Sequence, residues 1–466
     1  MFKFIDLFAG IGGFHSALSD LGGDCVLACE FDEDCQIVYK STFPNTKLIS
    51  NIREITRNDI EDDNSTRNLK EIKSLVPDHD VLCAGFPCQP FSKSGKQKGI
   101  LDKARGTLFF DIMQIVKAKH PKYLILENVR NLTGPKHSET WKLIIESIRE
   151  EGYTVSGIPT ILSPHLIPKE LGGAPQVRDR VFIAATLNGK NEPLHIEREP
   201  YKHNHNPDNW NIAEYLISDN AVSQSEPLSN YRLTKEELTW LNAWDYLVSK
   251  LDSNTLPGFP IWVDALTSNP VIEDDMPLWK KNFLIKNSNF YKINKKFLDK
   301  WKSIVWKPAN KKIEEFPMSR QKFEWQARKA FPTKKNRTIK SLVLQFRPSG
   351  IRVKPASYLP ALVAITQTSI VGPNIRDGIK DFRKITPIEA SKLQGIDGSI
   401  FKKAGVPDSV AYKQLGNGVN TGVVKYVFSQ LCEDVNYFNE SNFRLDEKRK
   451  LMNKYKKSQN LSFKLF

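Results

Sequence analysis

The sequence lacks any run of about 18 or more apolar residues, so it predicts no membrane-spanning helix. Its start, MFKFIDLFAG, lacks a charged stretch followed by a long apolar one. No signal peptide and a cytoplasmic location are therefore expected. Cysteine is sparse: Cys25, Cys29, Cys35, Cys83, Cys88 and Cys432 are all there is. No two form a CxxC pair, and none of the eight histidines joins them at zinc-finger spacing. A disulfide framework is not expected in a cytoplasmic chain of 466 residues. Cys25, Cys29 and Cys35 are expected in or near a core. There is no internal repeat and no low-complexity segment, which sets aside solenoids and biased linkers.

What the chain does have is length for two or three domains, an ordinary 40% of hydrophobic residues, and a formal net charge of +15. Such a surplus suits a polyanion, most often nucleic acid, or a lysine-rich surface kept soluble by charge.

Residues 1–187 alternate short β-rich runs with helical patterns. FKFIDLFAG, CVLACEFD, HDVLCAGF, KYLILENV and RVFIAATL read as strands, and GGFHSALSDLG as a helix. This rhythm predicts a parallel, doubly wound α/β sheet, whose sites form at the carboxyl ends of its strands. From about residue 188 the rhythm is lost, and eight of the nine tryptophans fall between Trp210 and Trp325. A second domain is expected there. The lysine-rich tail after about residue 433 reads as a solvated helix or frayed end, or as an arm that brushes a polyanion.

Four constellations could carry chemistry. In DLFAGIGGF, Gly10, Gly12 and Gly13 lie between a strand and a helix, where glycine allows close backbone approach to a ligand. The spacing is not a strict GxGxxG. Glu30 closes the next strand, where an acid can hold ribose hydroxyls; tight packing is the other reading of the turn. In GFPCQPFSKSG, Cys88 sits between two prolines and before a polar loop. A thiol needs its reference pKa of about 8.5 lowered to act at neutral pH. Cys83, inside its apolar strand, reads as packing. In LENVR, Glu127 ends a strand, as a buried acid or as a helix cap. In APQVRDRVF, Arg178 and Arg180 alternate on one strand face, fit for an oxyanion or for surface ion pairs.

These blocks stand in one order with RKITPIEASKLQG and QLGNGVN, and together they resemble the DNA (cytosine-5) methyltransferase family, of the prokaryotic modification-methylase type. The resemblance spans Phe4 to about Val424. It implies a Rossmann-like methyltransferase sheet (1–187 plus 405–466) and a smaller mixed target-recognition domain with its return segment (188–404). By the same resemblance Cys88 matches the nucleophile and Glu127 the acid at cytosine N3. Arg178 and Arg180 match the pair that orders the site, the second reaching toward O2. Phe8, Gly10, Gly12, Gly13, Glu30, Phe31, Asn51, Ile52, Pro87, Asn417, Gly418 and Val419 match the S-adenosylmethionine pocket. Gln89 and Ser92 match the loop that closes over DNA, and RGTLFFDI from Arg105 the block after it. Asn51 stands where the family often has an acid, Gly418 where serine is frequent, and Lys392 where arginine is frequent.

The implied partner is double-stranded DNA, with a cognate restriction endonuclease as a functional companion; a monomer and no metal are expected. Arg337, Arg347 and Arg352, around Gly350 in KNRTIKSLVLQFRPSGIRVK, are the expected base-reading residues, with a basic surface hairpin as the other reading. Three competing readings are weighed beside this one. The tRNA cytosine-5 branch shares the catalytic blocks. A silent DNA-binding protein has no need of Cys88, Glu127 and Arg180 together. A nicotinamide dehydrogenase is disfavoured by the glycine spacing.

Overall fold

A computed structural model describes residues 1–87, 107–188, 196, 210–253, 256–362 and 368–433. Cys88, Gln89, Ser92, Arg105 and the tail after residue 433 lie outside the described residues. The chain divides into two compact units, residues 1–209 with 390–466 and residues 210–389.

The first unit opens with β1 (Phe2–Leu7), α1 (Gly13–Ser19), β2 (Gly23–Cys29), α2 (Glu33–Thr42), β3 (Leu48–Ile49), α3 (Arg53–Thr56), α4 (Leu69–Leu75) and β4 (Val81–Gly85). It continues with α5 (Leu108–Lys119), β5 (Tyr123–Val129), α6 (Ser138–Glu150), β6 (Tyr153–Val155), β7 (Thr160–Leu162), β8 (Gln176–Val177) and β9 (Arg180–Leu187). The strands order as β3-β2-β1-β4-β5-β9-β6, with β7 also paired to β9. The β3 to β5 portion is parallel throughout. β9 runs antiparallel to both β5 and β6. The expected all-parallel sheet is thus mixed at one side. β6 and β7 pair one after the other along β9, both antiparallel to it, and antiparallel pairs need no crossover helix.

Alternation along the strands divides the core. Phe4, Cys83, Ile125 and Phe182 face one side, while Ile5, Leu82, Leu124 and Val181 face the other with α5 and α6. Cys83 is fully buried, and burial pushes its thiol far above the ordinary range, which suits a packing residue.

The second unit holds α7 (Asp219–Ser225), α8 (Lys235–Lys250), β10 (Ile261–Trp262), α9 (Leu278–Ser303), β11 (Lys322–Trp325), β12 (Val343–Arg347), β13 (Gly350–Lys354), β14 (Leu359–Pro360), β15 (Ile370–Val371) and β16 (Arg383–Lys384). Its sheet orders as β10-β11-β13-β12-β15-β16. The tryptophans build its core. Trp244 stacks on Phe323 at 4.6 Å and donates to the Arg320 carbonyl, and Trp301 donates to the Ala243 carbonyl. Thr234 and Glu237 form a reciprocal cap at the start of α8. The RKITPIEASKLQG motif has a structural role here: Arg383 is buried between Asp219 (3.1 Å) and Glu389 (2.7 Å).

The unit boundary falls within α10 (Pro387–Gln394). α11 (Ser399–Ala404), α12 (Asp408–Asn417) and α13 (Thr421–Glu433) then complete the first unit. Among the described residues no helix is long and apolar enough to cross a membrane.

Candidate active site

The carboxyl ends of β1, β2, β4 and β5 bring most of the expected residues to one edge. After β1 the chain turns sharply. Phe8, Gly10 and Gly12 all take positive φ, which only glycine adopts without cost. Phe8 does so as a strained non-glycine residue at a site, where such strain concentrates. A side chain on Gly10 would meet nothing within 4 Å, so the turn faces open space. A Cβ on Gly13 would lie 2.7 Å from the Val419 side chain, so glycine there lets α1 approach the QLGNGV segment.

Glu30 fastens the turn. One carboxylate oxygen accepts the Gly10 N–H at 2.7 Å and the other the Asp32 N–H at 2.7 Å. Each oxygen keeps an acceptor direction for a further donor. Burial raises the Glu30 pKa, against the pull of those N–H groups. Phe31 beside it is 74% exposed, a large ring left in water at the strand end. Asn51 precedes α3: its side-chain oxygen accepts the Arg53 N–H at 3.0 Å, and Ile52 between them is buried. Beneath the turn, Asp6 is fully buried. One oxygen accepts the His15 N–H at 3.2 Å, and the other has no partner among the described residues.

The second half of the site lies at β4 and β5. Their register sets Glu127 beside Gly85, three residues before Cys88 in the sequence. Pro87, exposed, is the last described residue on that approach. Glu127 is buried, and its Oε1 lies 3.1 Å from Arg180 Nε, within pairing distance but without an aligned hydrogen bond. Burial raises the Glu127 pKa; the charges of Arg180 and Arg178 oppose it without cancelling it. A carboxyl whose proton is held more tightly than usual, next to a cation, is suited to donate to a ring nitrogen and support the charge that follows.

Arg178 and Arg180 divide the work differently from the single strand face read in the sequence. Arg180 opens β9 and faces Glu127. Arg178 lies just before the strand, buried, and its Nη2 donates to the carbonyls of Gly416 (2.9 Å) and Gly418 (2.6 Å). Burial, with Arg180 nearby, pushes its pKa down to about 9, still cationic at neutral pH. It is a latch on the glycine segment. Asn417 is exposed at the end of α12 and Val419 is buried next to Gly13.

One residue at this edge was passed over in the sequence. Asn128 is buried, donates to the Phe86 carbonyl at 2.8 Å and accepts the Val129 N–H. It ties the end of β5 to the segment that leads to Cys88. Its place next to Glu127 in LENVR was the only sequence signal.

In the second unit the three candidate base readers differ. Arg337 is a correction. It is buried and donates to the carbonyls of Val248 (2.6 Å), Ser253 (2.8 Å) and Leu251 (3.0 Å), closing the C-terminal end of α8. Its donors are committed to backbone, so it is unavailable to a base. Arg352 pairs with Glu324 at 2.8 Å. Arg347 ends β12 and is half-buried, next to the exposed Pro348 and Ser349. The segment expected to read bases forms a β-hairpin, β12–β13.

A strained glycine turn under an acid-closed second strand, with a buried acid and a guanidinium at the neighbouring strand ends, defines a Rossmann-like methyltransferase sheet. The C-5 cytosine-specific DNA methylase family matches residues 2–433, and the chain belongs to it. The chain is similar to the type II methyltransferase M.AluI of Cellulosimicrobium cellulans, at 36% identity over 92% of this chain and 91% of that protein. It is also similar to M.HpaII of Haemophilus parainfluenzae, at 40% identity over 39% of this chain and 45% of that one. M.HhaI of Haemophilus parahaemolyticus is 39% identical over 41% of this chain and 50% of its own length. The enzyme class is DNA cytosine-C5 methyltransferase.

Proposed function

We propose that this chain transfers a methyl group from S-adenosylmethionine to C5 of a flipped-out cytosine in duplex DNA, through a covalent bond between Cys88 and C6. In a cell it acts as the modification partner of a restriction endonuclease. The observation that carries the reading is Glu127, buried beside Arg180 and in register with the strand that leads to Cys88.

The residues present fit the cofactor. The glycine turn opens to free space at Gly10, Glu30 keeps acceptor capacity for two hydroxyls, and Phe31 offers an exposed ring for an adenine. The unpartnered oxygen of Asp6 lies under the same turn. Phe8, Asn51, Ile52, Pro87, Asn417, Gly418 and Val419 would border it. When bound, the cofactor supplies an electrophilic methyl group on a sulfonium.

Cytosine C5 is a poor nucleophile. Addition of the Cys88 thiolate to C6 pushes an electron pair toward N3 and O2 and makes C5 reactive. Glu127 holds the proton for N3, and Arg180 supports charge at O2. After methylation a base takes the C5 proton, the C5–C6 double bond re-forms, and the Cys88 thiolate leaves. Reaching C5 requires the base to leave the stack, at a cost of a few kcal/mol.

Purified protein is expected to move labelled methyl groups to unmethylated duplex DNA. Cys88→Ala should abolish transfer while DNA binding persists, and Cys83→Ala should lower stability instead. Glu127→Gln should slow transfer by about 10²–10⁴-fold, the usual weight of a general acid. Transfer to tRNA but not DNA would overturn the substrate. A Cys83→Ala protein that folds yet is dead would reassign the nucleophile.

A further inference from the structure

α9 carries eight lysines against a single acid, Asp299, close to half of the chain's surplus of +15. The helix turns Tyr291, Leu298 and Trp301 into the core of its unit. α9 breaks at Asn294, whose φ of −111° and ψ of 22° are not helical; Lys292 lies just before the break, Lys296 and Lys300 lie one turn apart after it, and all three are exposed. Lysines next to them are engaged. Lys295 pairs with Asp299 at 2.8 Å, Lys302 with Glu314 at 2.8 Å, and Lys281 donates to the Asp274 carbonyl at 2.8 Å. Lys292, Lys296 and Lys300 have no carboxylate partner among the described residues.

Like charges one turn apart repel and weaken a helix. Interleaved glutamates would relieve them, and the sequence provides none here: between Tyr291 and Trp301 the one acid is Asp299, already held by Lys295. Three cations, one before the break and two after it, therefore lack a counter-charge of their own among the described residues. A DNA duplex carries one negative charge per about 1.7 Å of axis, dense enough to meet all three, and their binding would release condensed counterions.

We propose that the Lys292–Lys296–Lys300 stripe of α9 docks on the phosphate backbone of duplex DNA without reading sequence, apart from the base contacts of the β12–β13 hairpin. The proposal rests on the DNA reading above and adds to it the surface that supplies affinity rather than specificity.

The test compares wild type with Lys292→Gln/Lys296→Gln/Lys300→Gln. A control, Lys3→Gln/Lys70→Gln/Lys73→Gln, removes the same charge from exposed lysines of the first unit. Binding of a fluorescein-labelled duplex of arbitrary sequence is measured across a salt series. The α9 variant is expected to show a slope of log K against log salt shallower by about 2–3, with at least tenfold weaker binding at low salt. Its rate of methyl transfer at saturating DNA should equal that of wild type, and circular dichroism should report an intact fold. A wild-type slope, or an equal loss in the control, would overturn the stripe as a docking surface. So would a loss seen on tRNA but not on duplex DNA. If wild type binds duplex with the expected slope yet methylates none, the reading of function fails while the stripe stands.

Discussion

Glu127 and Asp6 are both buried carboxyls at the same sheet edge, and their surroundings separate them. Glu127 lies 3.1 Å from the Arg180 guanidinium, and the charges of Arg180 and Arg178 oppose the upward push of burial on its pKa. Asp6 has one N–H from His15 and an unpartnered oxygen. Its pKa is pushed up to about 8, chiefly by burial, with the His15 N–H opposing and Glu30 adding. In the unfolded chain an aspartate titrates near 3.9. Between these values the folded protein holds a proton that the unfolded chain has lost. The contribution of Asp6 to stability is therefore greatest below about pH 4, falls as pH rises, and levels off beyond about 8. Asp6→Asn keeps the shape and removes the titration. The melting-temperature difference, variant minus wild type, should grow with pH across that window. A difference that does not vary with pH would show that Asp6 does not carry the proton.

At the scale of elements, β1, β2, β4, β5 and β9 were legible in the sequence because each is an apolar run closed by polar residues. What could not be read is what depends on distant partners. The antiparallel course of β9 shows only in its pairing with β5, β6 and β7. The closeness of Glu127 to the Cys88 strand is a matter of register between β4 and β5. Arg337 looked like a reader because its basic neighbours share its segment, yet the carbonyls it binds end a helix some 86 residues earlier. A similar long-range tie joins α3, which starts at the Asn51–Ile52 corner, to α5. Arg57 meets Asp111 through Nε at 2.9 Å and Nη2 at 3.0 Å, and Thr56 donates to the same carboxylate at 2.7 Å. Both charged groups are buried. Without Asp111, Arg57 keeps its pairing with Asp63 at 2.7 Å but loses two charge-assisted hydrogen bonds, so Asp111→Ala should destabilise the protein by about 1.5–3 kcal/mol in urea denaturation. A loss under about 1 kcal/mol would mean that the tie contributes little beyond geometry.

At the scale of the whole molecule, two units have separate hydrophobic cores: two clusters flank the first sheet, and a third, rich in tryptophan, fills the second unit. Eight of the nine tryptophans belong to residues 210–389, and Trp141 alone to the first unit. Tryptophan fluorescence during denaturation therefore reports mainly the second unit, while far-ultraviolet circular dichroism reports both. Every residue assigned to the cofactor lies in the first unit. A ligand that binds only the folded state stabilises what it binds, by about 2.7 kcal/mol at a hundred times its dissociation constant. S-adenosylmethionine without DNA should therefore raise the unfolding midpoint seen by circular dichroism at least as far as the one seen by fluorescence. A larger shift by circular dichroism would mean that the units unfold separately, and equal shifts that they unfold as one. A midpoint that moves in fluorescence while circular dichroism stays fixed would place the cofactor in the tryptophan-rich unit, and would overturn the pocket built from Gly10, Glu30 and Phe31.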